Sequence, residues 1–236
     1  MSDWKAKRFW ADVTIVPKAD GFTISLDRRS VRTPAKAPMI IPTLKLAKYV
    51  AAEWDAQSEI IVPSSMPFTR TANAAIDKVA PHRREVADNV AAYGDSDLLC
   101  YRAESPAGLV LRQAAAWDPL LDWAAQDLQV RLSLRTGVVH CAQEPDQLAR
   151  LSQFVHALSD FELAAVYDLV SLSGSLIIGL SVARNARTDA DLWAASRIDE
   201  VWQQEQWGED AEAIEQARQK RRAFLDAADF LRACGR

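Results

Sequence analysis

The stretch FTISLDRRSVRTPAKAPMIIPTLKLAKYVAAEW, residues 22–54, changes its hydrophobic period midway, and that change sets the fold class. Before Pro42 the apolar positions step by two. Phe22, Ile24 and Leu26 alternate with polar residues, as Val13 and Ile15 do upstream, which is the pattern of half-buried strands. Asp20-Gly21 supplies one turn and Asp27-Arg28-Arg29-Ser30 another, with short strands expected at Val31 and at Met39-Ile40-Ile41. After Pro42 the period becomes helical: Thr43 is an N-cap, and Ala47, Val50, Ala51 and Trp54 share one face. The expected fold is α+β, with a small antiparallel β-rich domain over residues 1–42 and a larger all-helical domain, an orthogonal bundle, over residues 43–236. Trp54 is assigned a structural role, packed between the two.

Further along, residues 69–79 read as a short helix, and Pro81 opens another that Gly94 ends. Ala114, Trp117, Leu121, Ala124 and Leu128 mark a long amphipathic helix containing Pro119, which is expected to kink or restart it. Pro145 opens a helix, and Ser159 with Glu162 forms a capping box for the most hydrophobic one. Residues 169–183 carry no charge and number 15, short of the roughly 20 that cross a bilayer, so a buried central helix is expected. Ser173-Gly174-Ser175 and Gly179 are placed inside that helix, as sites of close approach by neighbouring helices. The last helix runs from residue 209 to residue 232.

Eight tryptophans in 236 residues suit a large core and a binding surface alike. A net charge of −4 argues against nucleic-acid binding. Arg218, Lys220, Arg221 and Arg222 read as a solvated helix end. The three cysteines, Cys100, Cys141 and Cys234, are odd in number and widely spaced, which favours a reducing compartment over a disulfide framework. The first ten residues lack the apolar core of a signal peptide.

Neither GxxxxGK[ST], GxGxxG nor GxSxG occurs. His140-Cys141 is adjacent rather than ligand-spaced, and His82 and His156 have no partners at metal spacing, so no metal and no cofactor are expected. Carboxylates gather at Asp95 and Asp97 and again at Asp199, Glu200, Glu205, Glu209, Asp210 and Glu212. Helix capping and solvation account for most of them. A small hydrolase or transferase built on the acidic cluster around Glu200 is the alternative from a different functional class.

The sequence from Ala195 to Asp210, ASRIDEVWQQEQWGED, reads as one helix whose start is capped by Thr188 with Asp191 and whose end is Gly208 in a left-handed cap. Glu200, Gln204 and Trp207 fall on one side, with Gln203 beside them. Carboxylate, amides and indole without a nucleophile point to protein recognition, so Glu200, Gln203, Gln204 and Trp207 are the candidate partner-binding residues and no catalytic residue is assigned. The competing reading is structural, with tryptophan in the core and glutamate facing water.

Several segments together resemble one family, the chaperones that assemble the catalytic sector of F-type ATP synthase by binding its α subunit. They are LDRRSVRTPAK at 26–36, AEWDAQ at 52–57, MPFTRTANAAID at 66–77, DLLCYR at 97–102, Arg112-Gln113 with WDPLL at 117–121, and 198–210. The resemblance implies a β-rich N-terminal domain joined to a helical one and a non-catalytic role. The implied partner is the ATP synthase α subunit, whose β-facing surfaces are masked until the β subunit displaces the chaperone. It also implies a monomer when free, no membrane insertion and, since the chain starts almost directly at the first strand, a bacterial protein of the cytoplasm.

Overall fold

The structure is a computed structural model and describes residues 7–137, 139–208 and 210–235. Glu209, counted above in the acidic cluster and as the start of the last helix, lies outside the described residues, as do the first six residues of the supposed leader-free start.

The alternation before Pro42 becomes β1 (Val13–Lys18) and β2 (Gly21–Leu26), followed by the short β3 (Arg29–Ser30). They form an antiparallel sheet in the order β1-β2-β3, with Ile15 opposite Ile24. Gly21 has φ +145°, and a Cβ there would stand 2.3 Å from the Ile41 carbonyl oxygen, so only glycine suits that turn. At the next turn Asp27 adopts φ +54°. Its carboxylate accepts from the Asp12 and Ala11 amides at 2.9 and 3.0 Å, which holds its pKa below the usual range. Ile41 pairs with Phe22 as an isolated bridge rather than a full strand.

Helix α1 (Leu44–Asp55) starts where Thr43 Oγ1 accepts the Leu46 amide at 3.1 Å, the cap its sequence promised. It packs on β1 and β2 with Leu46, Ala47 and Val50 fully buried. Sheet and helix therefore share one core, and the division at residue 42 falls inside a single compact unit that comprises Met1–Arg83, Ser159–Ala165 and Asp229–Arg236. Trp54 is half-buried and lies edge-on to Trp10, centroids 5.4 Å apart, and both rings belong to this unit. In α2 (Pro67–Ala74) the first turn has no cap of its own. Glu53 of α1 supplies it, accepting the Phe68 and Thr69 amides at 2.7 Å each.

The second unit, Arg84–Leu158 with Val166–Ala228, holds most of the remaining helices. In order they are α3 (Arg83–Ala92), β4 (Tyr101–Arg102), α4 (Ala107–Trp123), β5 (Arg135–Thr136), α5 (Pro145–His156), α6 (Asp160–Ser173), α7 (Leu176–Ala183), α8 (Asp189–Ala195), α9 (Ile198–Trp207) and α10 (Ala211–Cys234). β4 and β5 pair in parallel. Pro119 lies inside α4 without ending it. The Ser159–Glu162 box forms as expected, Ser159 N donating to Glu162 Oε2 at 2.8 Å.

The apolar run 169–183 is buried, but it is two helices rather than one. Gly174 takes φ +71°, and Ser175 starts α7 by accepting the Ile178 amide at 3.0 Å. Serines offering the backbone local alternatives end a helix when a glycine lies between them. Gly179 does mark close approach, since a Cβ there would stand 2.6 Å from the Val170 side chain. Asp97, fully buried, accepts the Ile177 amide at 2.9 Å and the Leu99 amide at 3.0 Å, so it caps α7 from a distant turn. Among the described residues no helix is long and apolar enough to cross a membrane.

Candidate functional site

The helix expected across residues 195–207 divides at Ser196-Arg197, giving α8 and α9. The physical reason is a competitor for its backbone. The Trp117 indole donates to the Ala195 carbonyl at 2.7 Å, and the Ser196 hydroxyl donates to the Trp193 carbonyl at 2.7 Å. Thr188 caps α8 as read, accepting the Asp191 amide at 3.2 Å. Gly208 does end α9 with its N–H on the Gln204 carbonyl at 2.9 Å, but at φ +94° and ψ 169°, a conformation beyond the left-handed helical cap and open to glycine.

α9 rests on α4. Gly108 makes this possible, because a Cβ at that position would stand 2.8 Å from the tip of the Trp202 ring. The Arg112 guanidinium lies 4.9 Å from the Trp202 ring centroid and grips Glu205 with bonds of 2.8 and 2.9 Å. That bond pushes the Arg112 pKa up and holds the Glu205 carboxyl below its usual range. Deeper in, Gln113, only 2% exposed, accepts the Ala103 amide at 2.9 Å and donates to Asp199 at 2.6 Å.

Beside this contact runs an open cleft of about 530 Å³, bounded by the β4 end, the start of α4 and the exposed side of α9. Tyr101, Pro106 and Leu109 form one wall, and Trp202, Gln203 and Trp207 form the other. The Trp207 indole is 81% exposed, the most exposed large hydrophobic side chain among the described residues.

The four candidate residues do not form one patch. Gln203 and Trp207 line the cleft, and Glu200 and Gln204 do not. Glu200 is bonded to Arg197 at 2.7 Å, and Arg197 sits over the Trp193 ring at 5.5 Å. Still, at roughly 100° per residue Trp207 lies within about 20° of Glu200 around the helix, so all four occupy neighbouring strips. Sequence spacing missed Trp202, Arg112, Gln113 and Asp199, because their pairings join residues 86 and 93 apart.

The carboxylates of the two acidic clusters have separate duties. Asp95 accepts the Gln143 amide at 2.7 Å and lies 3.2 Å from His140, while Asp97 caps α7. Asp199, Glu200 and Glu205 hold Gln113, Arg197 and Arg112 respectively. Among the described residues no group of three His, Cys, Asp or Glu side chains is placed to hold a metal ion.

A cleft walled by indoles, with its nearby carboxylates occupied, suits the holding of another chain. Comparison with known proteins agrees. A family model described as ATP12 chaperone protein matches residues 7–125. The crystal structure of Atp12 from Paracoccus denitrificans is 46% identical, with a TM-score of 0.94 over 99% of this chain and 100% of that one. A lysine-for-aspartate variant of the same bacterium's Atp12p superposes at a TM-score of 0.95. A chaperone candidate from Agrobacterium tumefaciens is 40% identical over 97% of this chain and 86% of its own, with a TM-score of 0.93. Likeness of this extent, over sequence and fold together, makes the chain a member of the ATP12 chaperone family.

Proposed function

We propose that this chaperone serves the assembly of the F-type ATP synthase catalytic sector, holding the free α subunit with its β-facing surfaces covered until the β subunit displaces it. It acts as a monomer in the bacterial cytoplasm, without cofactor and without catalysis. The observation that carries the reading is Trp207, an indole left 81% exposed at the mouth of a cleft in a chain of a chaperone family. Exposed tryptophan is costly to leave in water and is enriched where partners bind most strongly. Glu200, Gln203, Gln204 and Trp207 form the contact surface.

The test is Glu200→Lys. The Arg197–Glu200 pair is partly exposed, Glu200 at 43%, so its loss costs less than about 1 kcal/mol after solvent screening. Reversing an interfacial charge costs far more binding. The expected result is a melting temperature close to that of the unaltered protein and loss of α-subunit capture in a pull-down. A variant that melts much lower yet captures the α subunit at full affinity assigns Glu200 to the fold alone.

A further inference from the structure

The cleft between α4 and α9 carries more chemical information than its exposure. Each charged side chain at its edge is already matched. Asp199 accepts from Gln113 at 2.6 Å, Arg102 pairs with Asp118 at 2.8 Å, and Arg112 is closed on Glu205. What remains open to a newcomer is neutral. Trp202, Trp207, Leu109 and Pro106 offer apolar surface, and Gln203 and Gln206 offer amides that have no partner among the described residues. Each free amide carries both a donor and an acceptor, the complement of a peptide group.

We infer that this cleft receives a short, extended, uncharged apolar segment of the client, with its side chains on the two indoles and its backbone on Gln203 and Gln206. The inference rests on the chaperone reading above and adds the chemistry of what is recognised. Charge decides between occupants. An acidic or basic segment would find no free counter-charge and would lose hydration on entering, whereas an apolar one exchanges water for ring faces. Length follows from geometry. From Asp199 to Trp207 the helix rises about 12 Å, the reach of roughly four extended residues. A volume of about 530 Å³ is in the range of sites that bury a small ligand or a few side chains.

The experiment uses the full chain and short overlapping peptides that together cover an ATP synthase α-subunit sequence. Binding is read by anisotropy of the labelled peptides, alongside capture of the intact α subunit. Two variants probe the cleft. Gln203→Glu with Gln206→Glu alters only exposed positions, so folding is retained, and Leu109→Arg fills the opposite wall. Uncharged apolar peptides are expected to bind, and each variant is expected to weaken them at least about tenfold and to weaken α-subunit capture with them. Preference for acidic or basic peptides overturns the inference. So does full capture of the α subunit by both variants, and that result leaves the chaperone reading standing. If the unaltered protein captures no α subunit but still binds uncharged peptides through the cleft, the α-subunit assignment fails and the cleft chemistry holds.

Discussion

Asp97 shows how a single residue sets a pH dependence. Burial pushes its pKa up from 3.8 to about 6, against hydrogen bonds from Ile177, Ser175 and Leu99 that favour the charged form. A carboxyl that keeps its proton longer when folded stabilises the fold at low pH, and that contribution drains away as pH rises from about 4 to about 6. Asp97→Asn carries no such titration. The stability difference, unaltered protein minus variant, is therefore expected to fall across that window by up to about 3 kcal/mol and to level off above it. The lowered carboxyls Asp27 and Glu205 are common to both proteins and cancel. Urea unfolding at a series of pH values checks this, and a difference that grows with pH contradicts it. Trp54 is the second case. Its ring meets Trp10, over which Arg8 already lies at 5.3 Å. Trp54→Arg thus removes an aromatic contact and adds a like charge, an expected loss of about 2–3 kcal/mol, visible as a lower melting temperature.

At the scale of elements, the placement of α9 depends on a position in another helix. Gly108 leaves room for Trp202, and the Arg112–Glu205 pair closes beside it. Gly108→Val drives a branched side chain into the indole, with an expected cost of about 1–3 kcal/mol from overpacking. The same change should shift the tryptophan emission and weaken α-subunit capture, because Trp202 and Trp207 lie on one helix. Unchanged emission and stability would mean that α9 does not rest on α4 at that point. The caps tell a parallel story. Thr43, Ser159 and Thr188 act on residues three positions away and were legible in sequence, whereas Glu53 capping α2 and Asp97 capping α7 act at separations of 15 and 80 residues. No local pattern announces a cap that arrives from elsewhere.

For the whole molecule the cysteines give a compact check. Cys100 and Cys234 are buried, and burial pushes both thiols up to about 12, while Cys141 is exposed. Thiolate is the reactive form, so one thiol per native chain should react quickly with a disulfide reagent and three after denaturation. A reductant should leave the melting temperature unchanged. Two fast-reacting thiols in the native state would show that one of the two cores opens readily.

The sequence by itself determined the elements: strands before Pro42, helices after it, three local caps, the turn at Gly21 and the buried character of residues 169–183. These follow from periodicity and from hydrogen bonds that close within a few residues, and such interactions are written in neighbouring letters. The motif resemblance supplied the family. Tertiary structure alone decided where helices break, because Ser196 yields when a Trp117 indole takes the Ala195 carbonyl. It also decided that the sheet and α1 share a core, and that Gln203 and Trp207 face a cleft while Glu200 turns to Arg197. Each of these outcomes depends on which distant side chain arrives first at a backbone group or a ring, a competition that only packing resolves.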